Sequence, residues 1–383
     1  MSVVIERKDM EEFIGYCHEE NVEVTYVADV TDTRRMRMYW DGKVVVDLSR
    51  DFIDSAGAKH YTKIAIGGVE NINPFERKVE GVTTTKRMKN NLSDDNVVSQ
   101  KGLIEMFDST IGASTVLMPF GGKTQNTETQ VSVQKLPVGN HFTNTASIMA
   151  YGYNPYIAKW SPYHGAAYAV VDACAKVVAA GARYDNMRFS YQEYFERMTD
   201  AKSWGKPLAA LLGALKMQVE LGLPSIGGKD SMSGTFRDIN VPPMLMAFGI
   251  TTVDARNVIS PEFKEGGHNI YVVRHTPTEN YMPATDQLKD NFDFVADKIL
   301  SGDIVAGYAV GFGGVAEAVA KMSFGNKIGA ALECDEQMLY NLSYGSIVVE
   351  SRRTLNHPSA ELIGKTVAEE AIFVNGTRLP LEE

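Results

Sequence analysis

The segment PSIGGKDSMSG, Pro224 to Gly234, holds the densest set of groups able to act on a ligand. Gly227 and Gly228 let a backbone approach a ligand closely, Lys229 offers an ammonium, and Asp230 offers a carboxylate that can ligate a metal. Ser231 and Ser233 add hydroxyl donors suited to phosphate or a ribonucleotide. Together these are the parts of a phosphate and Mg2+ site. The spacing is not GxxxxGK[ST] and no helix clearly starts there, so a P-loop is excluded. On residue types alone the segment reads equally as a glycine-rich turn between strands.

Other segments carry less. The stretch GGKTQNTETQ, Gly121 to Gln130, is rich in hydroxyl and amide groups and reads either as a ligand cover or as a solvated hairpin tip. His141 and His164 are the histidines nearest the motif segments, and a histidine beginning a helix, as His164 does in SPYHGA, reads first as structural. In RFSYQEYFERM, Arg188 to Met198, the aromatics read as core and leave Ser190, Gln192 and Glu193 as polar members. Asp172 and Lys176 stand four apart in GAAYAVVDACAKVVAAGA, where they form either an ordinary helix pair or part of a site.

The elements that must position these groups follow from periodicity. Residues 1–60 give a helix from Lys8 to Glu20, a strand from Val22 to Val27, and a hairpin about Asp41-Gly42, too little to bury a core alone. Residues 61–100 turn polar and suit a linker or a surface helix. Residues 101–258 alternate strand and helix: strand STVLMPF, a small-residue helix near Gly165 to Ala182, a helix from Pro207 to Leu221, and strand PPMLMAFGITTV. Residues 259–383 repeat the idea with NIYVVR, NFDFVADKIL, AGYAV, GFGG, VAEAVAKM, SIVVES and the turn Asn375-Gly376. The expected class is a layered α/β or α+β fold.

Bulk properties set limits. The chain has 383 residues, 44% of them hydrophobic and 22% charged, enough for two or three cores. Its net charge of -10, with both signs interspersed, gives no basic stripe for nucleic acid. Cys17, Cys174 and Cys334 are far apart and form no CxxC, which argues against a disulfide framework or a zinc site. The N-terminus MSVVIERKDMEEF lacks a signal-peptide core, and no apolar run approaches the roughly 18 residues of a membrane span. The expected setting is cytoplasmic.

PSIGGKDSM, with SPYHGAAYAVVDACAKVVAAGA and the late GGVAEAVAKMSFG, resembles the phosphoribosylformylglycinamidine synthase family over essentially the whole chain, in order. The resemblance implies two tandem synthetase copies, each an N-terminal and a C-terminal subdomain of the aminoimidazole ribonucleotide synthetase type. On that basis residues 1–60 are the end of the first copy, 61–100 a linker, and 101–258 and 259–383 the two subdomains of the second. It implies ATP and Mg2+ as cofactors, with formylglycinamide ribonucleotide and glutamine consumed. Site roles then fall on Gly227, Gly228 and Lys229 for the nucleotide, Asp230 for the metal, and Ser231 and Ser233 for the substrate.

Departures from the family pattern concern an auxiliary nucleotide site, for which relatives use E-A-x-x-N on the long helix and D-x-S-D-G-G later. Here Asp172-Ala-Cys-Ala-Lys176 puts an ammonium at the asparagine position, and Ala309 to Gly314 lacks both aspartates. The resemblance therefore implies a degenerate auxiliary site, with Asp172 and Lys176 paired. It also places arginine in several relatives where His164 stands, so that a phosphate contact is the alternative for that residue. No glutaminase-type cysteine nucleophile with later histidine and glutamate is found. The expectation is a partial enzyme, inactive alone, which needs the first copy and a glutaminase. The competing reading is a structural half whose own site has decayed.

Overall fold

The structure, a computed structural model, describes residues 2–55, 61–107, 109–110 and 112–382. The chain divides into two compact units, Met1–Thr62 and Lys63–Glu383. The boundary expected near residue 60 falls on residues 56–60, outside the described residues.

In the first unit, helix α1 (Met10–Glu19) is followed by strands β1 (Arg35–Trp40) and β2 (Lys43–Ser49), which pair antiparallel, and by a short helix α2 (Arg50–Asp54). Asp41 and Gly42 both adopt positive φ (46° and 70°), the geometry that a two-residue primed turn needs and that the sequence announces. The strand expected at Val22–Val27 does not form. That stretch is mostly exposed and pairs with no other strand of its unit, and without a ladder it is no strand.

The second unit opens with helix α3 (Thr84–Leu92), capped by Thr83, whose Met88 and Asn91 are buried, so the polar composition of residues 61–100 conceals a docked helix. After a short turn of helix α4 (Lys101–Ile104), the expected strand STVLMPF is a correction. Thr115 makes only an isolated bridge to Gln134, and regular pairing is confined to β3 (Phe120–Gly121) against β4 (Thr127–Glu128). Pro119 lacks the N–H that a continued ladder requires.

Strands β5 (Ser132–Lys135) and β6 (Thr145–Gly152) lead to helices α5 (Pro155–Trp160) and α6 (Pro162–Ala179). Strand β7 (Arg188–Tyr194), helix α7 (Ala201–Leu221), strand β8 (Ser225–Lys229), the small hairpin β9 (Thr235–Phe236) and β10 (Ile239–Asn240), and the long strand β11 (Met244–Asp254) follow. Strands β5-β6-β11-β7-β8 form one five-stranded sheet in that order, antiparallel except for the parallel β7/β8 pair. Helix α7 begins six residues before the expected Pro207, because Asp200 and Ser203 form a reciprocal capping box there. It ends on Gly222 in the left-handed conformation.

The run of small residues in α6 has a steric reason. A Cβ on Gly152 of β6 would stand 2.0 Å from the carbonyl oxygen of Ala169, so helix and sheet meet backbone to backbone. Alternation along β6, β7 and β11 turns Ala146, Ile148, Phe189, Tyr191, Leu245 and Ala247 onto this helix-covered face.

The remaining elements are β12 (Asn269–Val273), α8 (Thr285–Leu300), β13 (Ile304–Ala309), α9 (Gly314–Phe324), β14 (Gly329–Leu332), β15 (Ile347–Ser351), β16 (Ala360–Val367), β17 (Ala371–Val374) and β18 (Thr377–Pro380). They make a seven-stranded mixed sheet, β13-β15-β12-β16-β14-β17-β18, in which Asn375 and Gly376 form the expected turn with φ of 47° and 85°. Helix α6 packs against β6, β11 and β13, so a single hydrophobic cluster joins the two sheets through it. The observed class is the expected α/β layering.

Candidate functional site

The segment Pro224–Gly234 hangs from the parallel pair β7/β8. Gln192 pairs with Lys229, and the ladder continues as the Ser231 N–H donates to the Glu193 carbonyl (3.1 Å) and the Phe195 N–H donates to the Ser231 carbonyl (2.9 Å). Gly228 has a packing reason to be glycine, since a Cβ there would lie 2.4 Å from the Tyr191 carbonyl oxygen. Gly227 meets nothing within 4 Å and leaves its backbone open. Lys229, Asp230 and Ser233 are exposed, and the Ser231 and Ser233 hydroxyls lie 3.1 Å apart. The structure thus brings Gly227 to Ser233 together as one accessible strip of backbone, ammonium, carboxylate and hydroxyls.

Beneath that strip lies a residue that sequence reading passed over as a polar member of an aromatic run. Glu193 is only 7% exposed, and its Oε1 is buried without a hydrogen-bond partner. Burial first, and the Asp230 charge second, push its carboxyl up to about 7. The available signal was the period-two alternation Phe189, Tyr191, Glu193, which turns the glutamate inward with two aromatics.

Asp172 and Lys176 stand elsewhere, in a cavity of about 550 Å3 that does not include Gly227–Ser233. The Lys176 ammonium donates to Asp172 Oδ2 and to the Tyr151 carbonyl, each at 2.8 Å, and Asp172 is 3% exposed. Burial raises the Asp172 carboxyl against the opposing pull of Lys176.

The same cavity contains a second cluster absent from the sequence reading. Lys321 Nζ lies 2.6 Å from Glu128 Oε2 and 2.8 Å from Glu317 Oε1, and Glu317 Oε2 accepts the Gly313 N–H at 2.7 Å. Burial alone would lower the Lys321 pKa, but Tyr308, Glu317 and Glu128 together raise it. The i,i+4 pair in an otherwise apolar helix, Glu317 and Lys321, was the signal. Its partner Glu128 comes from a segment 193 residues away, which no local pattern reveals.

The stretch Gly121–Gln130 is pinned and not a free tip. Thr124 and Thr127 hydroxyls donate to Phe324 and Lys321 carbonyls, and the Gln130 amide exchanges two hydrogen bonds with the Ala309 backbone (2.9 and 2.8 Å). His164 has both ring nitrogens engaged, Nδ1 with Ser161 Oγ (2.8 Å) and Nε2 with the Asn280 carbonyl (3.0 Å), as befits a structural residue at the start of α6. It also borders a cavity of about 690 Å3 lined in part by Lys159, Lys202 and Lys206. His141 is exposed on a loop, and in Arg188–Met198 the rings of Phe189, Tyr191 and Phe195 are core.

Among the described residues no group of three or more His, Cys, Asp or Glu side chains is placed to hold a metal ion, and no helix is long and apolar enough to cross a membrane. Among the described residues Asp230 and Glu193, whose Oε1 has no hydrogen-bond partner, are the carboxyls adjoining this loop, fewer oxygen ligands than a bound Mg2+ takes.

No family model matches the chain. It is similar to the phosphoribosylformylglycinamidine synthase subunit PurL of Thermoplasma acidophilum, 24% identical over 348 residues, which cover 84% of this chain and 44% of that protein. The PurL subunit of Methanocaldococcus jannaschii is 24% identical over 427 residues, covering 100% of this chain and 54% of the relative. Solved structures of Thermotoga maritima PurL, complexed with ATP and with FGAR, superpose with TM-scores of 0.67 and 0.68 at 16% and 15% identity, over 95% of this chain and 54% and 52% of theirs. The chain spans about half the length of the relatives it matches. The chain is thus similar in sequence to PurL subunits of phosphoribosylformylglycinamidine synthase and shares the α/β architecture of the solved PurL structures.

Proposed function

We propose that this chain is one part of a carbon–nitrogen ligase that converts formylglycinamide ribonucleotide, glutamine and ATP to formylglycinamidine ribonucleotide, glutamate, ADP and phosphate in a cytoplasmic setting. The observation that carries the reading is the strip Gly227–Ser233, exposed along β8 and beyond, in a chain whose relatives are named PurL. In this reading the open backbone at Gly227 and Gly228 and the Lys229 ammonium receive nucleotide phosphate, and the Ser231 and Ser233 hydroxyls hold the ribonucleotide. Phosphorylating the formamide oxygen converts a poor leaving oxygen into a good one that ammonia can displace. Fixed positive charge and hydrogen-bond donors aimed at the transferring group favour that step. Mg2+ would neutralise phosphate charge there, with Asp230 as a ligand among the described residues.

The first synthetase copy and the glutaminase, which the resemblance implies, are taken to complete the site and to deliver ammonia. A second reading, that this half also acts as a structural support with a decayed nucleotide site, is favoured by the cavity beside α6. There the carboxylates of Asp172, Glu128 and Glu317 are already engaged in ion pairs, Asp172 with Lys176 and the two glutamates with the shared Lys321. The two readings concern different loci and are compatible. The test is kcat/KM for amidation in the assembled enzyme with Asp230→Asn or Ser231→Ala, beside the melting temperature of the same variants. A fall of a hundredfold or more at near-normal stability supports the reading; near-normal kcat/KM removes that residue from the site.

A further inference from the structure

The cavity of about 690 Å3 beside His164 belongs to neither locus described above, since its lining includes none of Gly227–Ser233 and neither Asp172 nor Lys176. Its volume falls within the roughly 300–1,000 Å3 of a small-molecule pocket. Three ammonium groups reach it from two helices, Lys159 on α5 and Lys202 and Lys206 on α7. Lys206 is held by Glu196 at 2.7 Å, but among the described residues Lys159 and Lys202 make no ion pair. Glu70 adds one further carboxylate to the described lining, so positive charge is in excess there, on a chain whose net charge is -10.

Backbone donors line the same cavity. The segment that carries them is anchored on both sides, the Ala65 N–H donating to the Ala201 carbonyl at 2.8 Å and the Glu70 N–H to the Trp160 carbonyl at 2.9 Å. Between these anchors the N–H groups of Gly67 and Gly68 have no acceptor among the described residues, and a Cβ on either glycine would meet nothing within 4 Å. Open main-chain donors beside unpaired ammonium groups are the means by which a phosphate dianion is held. The rest of the wall is largely apolar, with Val69, Tyr163, Val241, Pro242 and Pro243, and can cover an organic group that an inorganic ion would not supply.

We propose that this cavity is a second ligand site, for a small organic phosphate of about nucleoside-monophosphate size. Gly67, Gly68, Lys159 and Lys202 take the phosphate, and the proline wall takes the organic group. The inference rests on the cavity and not on the ribonucleotide reading, which can fail without touching it.

The experiment is calorimetric titration of the full chain with AMP as the probe, in EDTA so that no divalent cation carries the phosphate elsewhere. The expected result is one site with a dissociation constant below about 1 mM, with inorganic phosphate weaker and adenosine giving no measurable heat. Binding should weaken at least about tenfold in the double variant Lys159→Gln, Lys202→Gln. Its melting temperature should stay within a few degrees of the parent, because neither ammonium has an ion-pair partner to lose. Val69→Trp, which fills the cavity from a position 54% exposed, serves if the double variant fails to fold, and Lys229→Gln should leave the affinity unchanged. Absence of saturable AMP binding below about 1 mM overturns the proposal. So does binding that is indifferent to both cavity variants or lost in Lys229→Gln, and so does adenosine or inorganic phosphate bound as tightly as AMP.

Discussion

The Ser231 N–H donates to the Glu193 carbonyl at 3.1 Å, which fixes the hydroxyl-bearing loop to the strand whose Glu193 Oε1 is buried without a partner. The loop is therefore positioned by main-chain bonds, while its side chains stay available. Side-chain deletions in the loop should leave folding almost untouched: Ser231→Ala and Ser233→Ala, both on a partly exposed segment, should change stability by less than about 0.5 kcal/mol. Denaturant midpoints of the two variants check this, and a loss of several kcal/mol would show that the hydroxyls are structural.

Lys321 is held by two carboxylates in a cavity wall, with only 8% of its side chain exposed. Removing the ammonium leaves Glu128 and Glu317 facing each other, and breaking a buried pair typically costs about 3–5 kcal/mol. Lys321→Met should lie in that range by chemical denaturation, and the double variant with Glu317→Gln should recover part of the loss. A Lys321→Met chain as stable as the parent would show that the cluster contributes nothing.

The cavity holding Asp172 and Lys176 should not bind ADP with Mg2+. Lys176 and Lys321 already satisfy the carboxylates that would ligate a dication, and an ammonium 2.8 Å from Asp172 repels one. Calorimetric titration with ADP and Mg2+ should give no micromolar isotherm. A Mg2+-dependent site abolished by Lys176→Ala would make that lysine a phosphate ligand instead.

His275 is buried, with Nδ1 2.7 Å from the Tyr344 carbonyl and Nε2 accepting the Ala284 N–H at 3.0 Å, so it is held neutral and its pKa is lowered to about 4, chiefly by burial. The unfolded chain takes up a proton near pH 6.5 while the folded one does not, so stability is lost as pH falls from 6.5 towards 4. The loss should reach roughly 3 kcal/mol from this group at the lower end. His275→Gln should flatten that part of the stability–pH curve. An unchanged slope would assign the acid sensitivity elsewhere.

The fold was legible where backbone chemistry is local: Asp41-Gly42, Asn375-Gly376, the small-residue helix α6, and the apolar strands β11 and β12. It was misread where a neighbour decides. Val22–Val27 has strand composition but pairs with nothing in its unit, and Ser114–Phe120 has strand composition but ends at Pro119. The contiguity of Gly227 to Ser233 and the ion pair of Asp172 with Lys176 in the separate cavity could be read from the chain, because their partners are sequence neighbours or four residues apart. Glu193 and Lys321 were missed because what makes them unusual is what surrounds them: burial beside Asp230 in one case, and Glu128 brought from a distant strand in the other.

The most direct test of the central claim is amidation of formylglycinamide ribonucleotide with and without this chain, in the presence of ATP, Mg2+ and glutamine. The account predicts no product from the purified chain alone, and product when it is combined with polypeptides supplying the first synthetase copy and the glutaminase. Turnover by the chain alone at an ordinary enzymatic rate of roughly 1 per second or more would contradict it, as would unchanged turnover when the chain is left out.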